Sequence, residues 1–116
     1  MFDFQKLEVY QKAKSINKLI TDFLHKNNLD RTTIDHLRRA SFSIMLNIAE
    51  GSSRFSNRDR RNFLIIARGS AFECVAILEY LADNGEIHKK EYDSFYDLFE
   101  EISKMLYSLI RKFGDK

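Results

Sequence analysis

The chain has 116 residues and a net charge of +2, with 44% hydrophobic and 31% charged residues. That is an ordinary soluble globular composition, too short for two cores, so one domain spanning residues 1–116 is expected. It has no proline, four glycines and one cysteine, which excludes a hairpin-rich β fold and an intramolecular disulfide and points to a reducing, cytoplasmic setting. Neither a signal-peptide core nor a run near the ~20 apolar residues of a membrane span is present, so no membrane partner is expected.

The first predicted helix carries Val9, Ala13, Ile16, Ile20 and Phe23 on one face and ends near Asn27-Asn28. The second carries Ile34, Leu37, Ser41, Ile44 and Ile48. Gly51, just after Glu50, stands where a left-handed residue would stop that helix, with Asn47 and Glu50 as structural partners of the turn. Ser56, with Asp59 three residues on, reads as a capping box opening the third helix. That helix carries Phe63, Ala67, Ser70, Cys74, Ile77 and Leu81, and Gly85 stands at its end as a left-handed cap. Ile87 and Tyr92 flank the start of the last helix at staple spacing, and its seam runs through Tyr92, Phe95, Phe99, Ile102, Leu106, Leu109 and Phe113. Steps of three and four with short connections predict an all-α fold, an antiparallel up-down-up-down four-helix bundle.

Apolar residues exceed what one seam needs. Phe63-Leu64-Ile65-Ile66 is apolar all round the third helix, and Phe72, Val75 and Leu78 add further faces. Tyr96, Leu98, Met105, Tyr107 and Ile110 do the same on the fourth. A helix apolar on several sides buries several sides, so self-association is expected, with Phe63, Ile65 and Phe72 at the interface.

The residues also resemble a known bacterial family. Leu37-Arg38-Arg39-Ala40-Ser41-Phe42-Ser43-Ile44, Asn47-Ile48-Ala49-Glu50-Gly51, Arg54, Asn62-Phe63-Leu64, Ala67-Arg68-Gly69-Ser70-Ala71 and Glu73 are similar to the four-helix-bundle proteins named for 23S rRNA intervening sequences. So is the opening Phe4-Gln5-Lys6-Leu7-Glu8-Val9-Tyr10-Gln11-Lys12-Ala13. The resemblance implies a bundle assembled into a ring, a pentamer. It also implies kinship with the accessory proteins of diversity-generating retroelements, basic pentamers that bind nucleic acid and a reverse transcriptase. Members commonly have a proline after Ser43-Ile44, where this chain has Met45-Leu46; the departure concerns a kink in the second helix and leaves the fold untouched.

Charge is unevenly distributed. Residues 51–70 carry +4 and residues 71–116 carry −4. Arg58, Arg61 and Arg68 step along one side of the third helix with Ile65 and Phe72, while Arg54 and Arg60 lie near its start and Arg38 and Arg39 on the helix before. Arginine forks hold phosphate in pairs of hydrogen bonds, so an exposed array would contact RNA or DNA, or a nucleic-acid-handling protein. The competing reading pairs these arginines with Asp93, Asp97, Glu100 and Glu101 of a neighbouring subunit, or leaves them solvated.

Catalytic signals are weak. Arg31 followed five residues later by His36 resembles the RNase signature of HEPN-type helical bundles, where the histidine moves a proton and the arginine stabilises phosphate charge. The spacing is permissive, and ordinary helix surface is the simpler account. No Glu-x-x-His pair set, zinc-ligand spacing or phosphate loop is present, so no metal or cofactor is expected. Cys74 reads as a small buried hydrophobe. The expectation is a non-enzymatic oligomeric scaffold, with a helical RNase or a purely structural oligomer as alternatives.

Overall fold

The computed structural model describes residues 1–114, which form a 3-10 turn at Asp3–Lys6 and four helices: α1 (Glu8–Lys26), α2 (Arg31–Ser52), α3 (Asn57–Asp83) and α4 (Lys89–Lys112). Among the described residues there is no strand. α2 packs against α1 and α3, and α4 against α3 and α1, so the helices close a circuit round one core. The body is a short rod, 45 × 27 × 22 Å.

Most of the predicted seam positions form that core; Ile34, Tyr92, Leu109 and Phe113 are only partly buried at its edge. Val9, Ala13, Ile16, Ile20 and Phe23 of α1 are buried, as are Leu37, Ser41, Ile44 and Ile48 of α2 and Phe95, Phe99, Ile102 and Leu106 of α4. α3 buries a broader stripe than its seam, because Leu64, Ala71 and Leu78 join Ala67, Ser70, Cys74 and Leu81. It packs against α2 on one side and α4 on the other, so its flanks are buried along with its centre. Phe63 and Ile77 are only partly buried.

Each helix end has a local cause. Asn27 closes α1, its Nδ2 donating to the Phe23 carbonyl at 2.8 Å. Asp30 opens α2 by accepting the Thr33 N–H, and Ser56 opens α3 by accepting the Asp59 N–H at 3.1 Å. α3 ends as predicted. Gly85 has φ +69, Glu86 N–H donates to the Leu81 carbonyl at 2.8 Å, and Gly85 N–H donates to Ala82 at 3.1 Å, the paired bonds of a Schellman cap. His88 caps α4 without a side-chain hydrogen bond, while Ile87 is buried and Tyr92 packs on the core.

Two expectations are corrected. Gly51 is not a left-handed stop: α2 runs through it to Ser52, and Gly85 is the only described residue with a left-handed φ. Gly51 is glycine because α3 comes close. An added Cβ would stand 3.0 Å from Phe63 Cβ and 3.4 Å from the Arg60 carbonyl. Asn47 is likewise not a turn residue. It sits inside α2, donating to the Ser43 carbonyl at 2.8 Å and to Ser43 Oγ at 2.9 Å. Ser43 Oγ also lies 2.9 Å from Ser70 Oγ, so this polar line bridges α2 to α3.

Candidate interaction surface

The α2–α3 connection, residues 53–56, is tied down on both sides. Ser53 Oγ donates to the Glu50 carbonyl at 2.7 Å. Arg54 Nη2 reaches Glu50 Oε2 at 2.6 Å. The Arg54 guanidinium also lies 4.6 Å from the Phe63 ring centroid, a cation–π distance. Arg60 Nε donates back to the Arg54 carbonyl at 2.8 Å. Phe63 is therefore held within its own chain, beneath Arg54 and against Gly51.

The basic stripe divides once side chains are placed. Arg61 Nη1 donates to the Phe113 carbonyl at 3.2 Å, and Arg60 leans over the Phe113 ring at 5.9 Å. Arg68 sits 4.7 Å from the Phe72 ring and 5.4 Å from the Tyr107 ring. Its Nε is buried with no acceptor, a donor that ordinarily finds a partner. Arg54, Arg60, Arg61 and Arg68 thus spend their forks largely on rings, carbonyls and Glu50. Arg58, Arg38 and Arg39 are exposed. Arg38 and Arg39 precede Glu50 by eleven or twelve residues of helix, roughly 17 Å at 1.5 Å per residue, so the seven arginines do not form one patch.

Beside this stripe, the outward side of α3 is apolar. Ile65, Ile66, Gly69, Phe72, Ala76 and Tyr80 recur at helical spacing and are all exposed. Ile65 is 48%, Ile66 50%, Phe72 56% and Tyr80 57% exposed, too much apolar surface on one helix to be scattered accident. An added Cβ at Gly69 would meet nothing within 4 Å.

Two features were not singled out from sequence. Phe55, in the middle of the pinned turn, is 99% exposed; the signal was an aromatic residue between Arg54 and Ser56 in a polar loop. Between α3 and α4 lies a cavity of about 360 Å³ walled by Phe72, Val75, Tyr96 and Phe99, with Glu100 and Lys104 among its polar residues. It arises from the spacing of two helices, which no single residue announces.

The structure does not bring together the residues weighed for catalysis. Arg31 pairs with Asp35 at 3.7 Å, and the five-residue offset to His36 turns the two side chains about 140° apart round α2. Burial pushes the Cys74 thiol well above its ordinary range, with the Glu73 charge adding to the effect, which disfavours the thiolate a nucleophile or metal ligand requires. Among the described residues no group of three His, Cys, Asp or Glu could hold a metal ion, and no helix is long and apolar enough to cross a membrane.

Comparison with known proteins agrees with the pattern of the residues. A crystal structure of a protein of unknown function from the S23 ribosomal protein family of Bacteroides thetaiotaomicron superposes with a TM-score of 0.80 at 28% identity, over 88% of this chain and 97% of that one. No curated protein is significantly similar. The family model described as 23S rRNA-intervening sequence protein matches residues 5–108, and the chain belongs to that family.

Proposed function

We propose that this protein is a non-enzymatic scaffold: a single antiparallel up-down-up-down bundle that assembles with copies of itself into a ring through the outward side of α3. The observation that carries the reading is the row Ile65, Ile66, Phe72 and Tyr80, each about half exposed on one helix. The closed circuit of neighbours and the short connections support the antiparallel order. Sedimentation equilibrium at micromolar concentration tests the assembly. A mass several times 13.7 kDa is expected, and a pentamer is the ring the family resemblance implies. The mass of one chain overturns the reading.

A polyanionic partner, RNA or DNA, or a protein that handles it, is a second reading supported by the exposure of Arg38, Arg39 and Arg58. Retention of a structured RNA on a native gel, weakening steeply with salt and lost in Arg38→Glu plus Arg39→Glu, is the expected result. Retention unchanged by those substitutions overturns the assignment. Cleavage of the RNA that disappears in His36→Ala would instead establish the nuclease alternative.

A further inference from the structure

The turn that joins α2 to α3 presents a phenyl ring to water. Phe55 is 99% exposed, the most exposed of the large hydrophobic side chains. Its turn is held by Ser53 to Glu50, Arg54 to Glu50, Arg60 to Arg54 and Ser56 to Asp59. A ring on a braced turn loses little freedom on docking, as preorganised contacts do. The same molecule has a matching recess: the α3–α4 cavity of about 360 Å³, walled largely by apolar side chains, the size and character of a small binding cleft.

Phe55 cannot reach the cavity of its own chain. Arg68, its nearest wall in sequence, lies eleven residues up α3 from Asn57, roughly 17 Å along the axis. The occupant must come from another copy. Charge supports this copy as the partner. On α4, Lys89 takes Asp93 at 2.8 Å and Lys12 takes Glu101 at 3.0 Å. Asp97 and Glu100 are exposed and in no ion pair among the described residues. Glu100 lines the cavity. Arg58, three residues from Phe55, is the exposed cation that would meet them. Arg68 Nε, buried there without an acceptor, would find one on the incoming turn.

We propose that Phe55 of one copy seats in the α3–α4 cavity of the next, with Arg58 facing Asp97 and Glu100. The inference rests on the self-association read above and specifies its contact. Knob and recess lie on different parts of the surface, so the contact is head-to-tail: it closes as a ring or continues as a filament.

The test uses the absence of tryptophan from the chain. In Phe55→Trp the new indole is the only tryptophan and can be excited at longer wavelength than the five tyrosines. Its emission is expected to be blue-shifted and shielded from acrylamide in the assembled protein, and to move red on dilution to single chains. Phe55→Ser, at a position with no packing to lose, is expected to keep full helicity and sediment at 13.7 kDa. Ser103→Phe, which plugs the recess, is expected to do the same. Mixing the two defective variants should yield a one-to-one dimer, because each retains one half of the contact. If wild type assembles while Phe55→Ser assembles equally and the indole stays exposed, this inference fails and self-association stands. If wild type is a single chain, both fail.

Discussion

Gly51→Ala separates two roles a glycine plays in a helix. As a generic helical site, replacing glycine with alanine stabilises by roughly 0.5–1 kcal/mol, since alanine loses less backbone freedom. At Gly51 the new methyl would stand 3.0 Å from Phe63 Cβ and 3.4 Å from the Arg60 carbonyl. Both belong to the first turns of α3, so the obstacle is a helix and not a side-chain tip that swings aside. Overpacking of that kind costs about 1–3 kcal/mol, which exceeds the propensity gain, and the variant should be less stable by roughly 1–2 kcal/mol. The shift would also disturb Arg54, held between Glu50 and the Phe63 ring. Gly69→Ala is the control, because nothing lies within 4 Å of its added methyl; it should gain roughly 0.5–1 kcal/mol. Urea unfolding followed by far-UV circular dichroism, at one fixed low protein concentration so that assembly contributes equally, reads both. Gly51→Ala at or above wild-type stability would refute the close-approach account of this corner.

Two further outcomes follow from single side chains. Ser56→Ala removes the acceptor for the Asp59 N–H and should lower stability by about 1 kcal/mol, with Ser56→Asp restoring most of it; no loss would show that the pinned turn does not depend on this cap. Cys74 titrates near 9.0 when unburied and higher in the fold, so its neutral form is favoured by folding. That contribution is complete below the ordinary value and is lost as pH rises above it, at up to about 1.4 kcal/mol per pH unit. Between pH 9 and 10 wild type should therefore lose stability faster than Cys74→Ala, and identical slopes would contradict the burial.

Much of the fold was legible because a helix buried on one side writes its period into the sequence. Spacing alone would mean little, but the seams of α1 and α4 are core from Val9 to Phe23 and from Phe95 to Leu106. Gly85 was legible too, since it follows a clear seam and needs no partner to justify it. Gly51 was misread because glycine after a helical segment fits two causes, a left-handed stop or a close neighbour, and only α3 decides between them. The breadth of the α3 stripe had the same origin. Leu64 and Leu78 are core because helices lie on both flanks, a property of the assembled bundle. The arginines were visible as charges but not as partners. That Arg54 rests on Phe63 and Arg68 between Phe72 and Tyr107 depends on which rings the packing brings alongside.

That last point changes what a polyanion would find. Arg54, Arg60, Arg61 and Arg68 remain charged, but their forks are directed at rings and carbonyls of the chain itself. If Arg58 serves the subunit contact, Arg38 and Arg39 are the two of these seven arginines that stay exposed for phosphate. Each phosphate neutralised contributes a slope of about −0.7 to −0.9 in the logarithm of affinity against the logarithm of salt. Through these two arginines one copy gives a slope of about −2 and weak binding at physiological salt, whereas several linked copies raise both slope and avidity. RNA retention should accordingly depend on assembly. Wild type should show a slope well beyond −2, and Phe55→Ser, with every arginine intact, should fall to about −2 or lose retention. An equal slope in the two proteins would mean that phosphate is held by a single copy, and that the proposed assembly does not multiply two arginines.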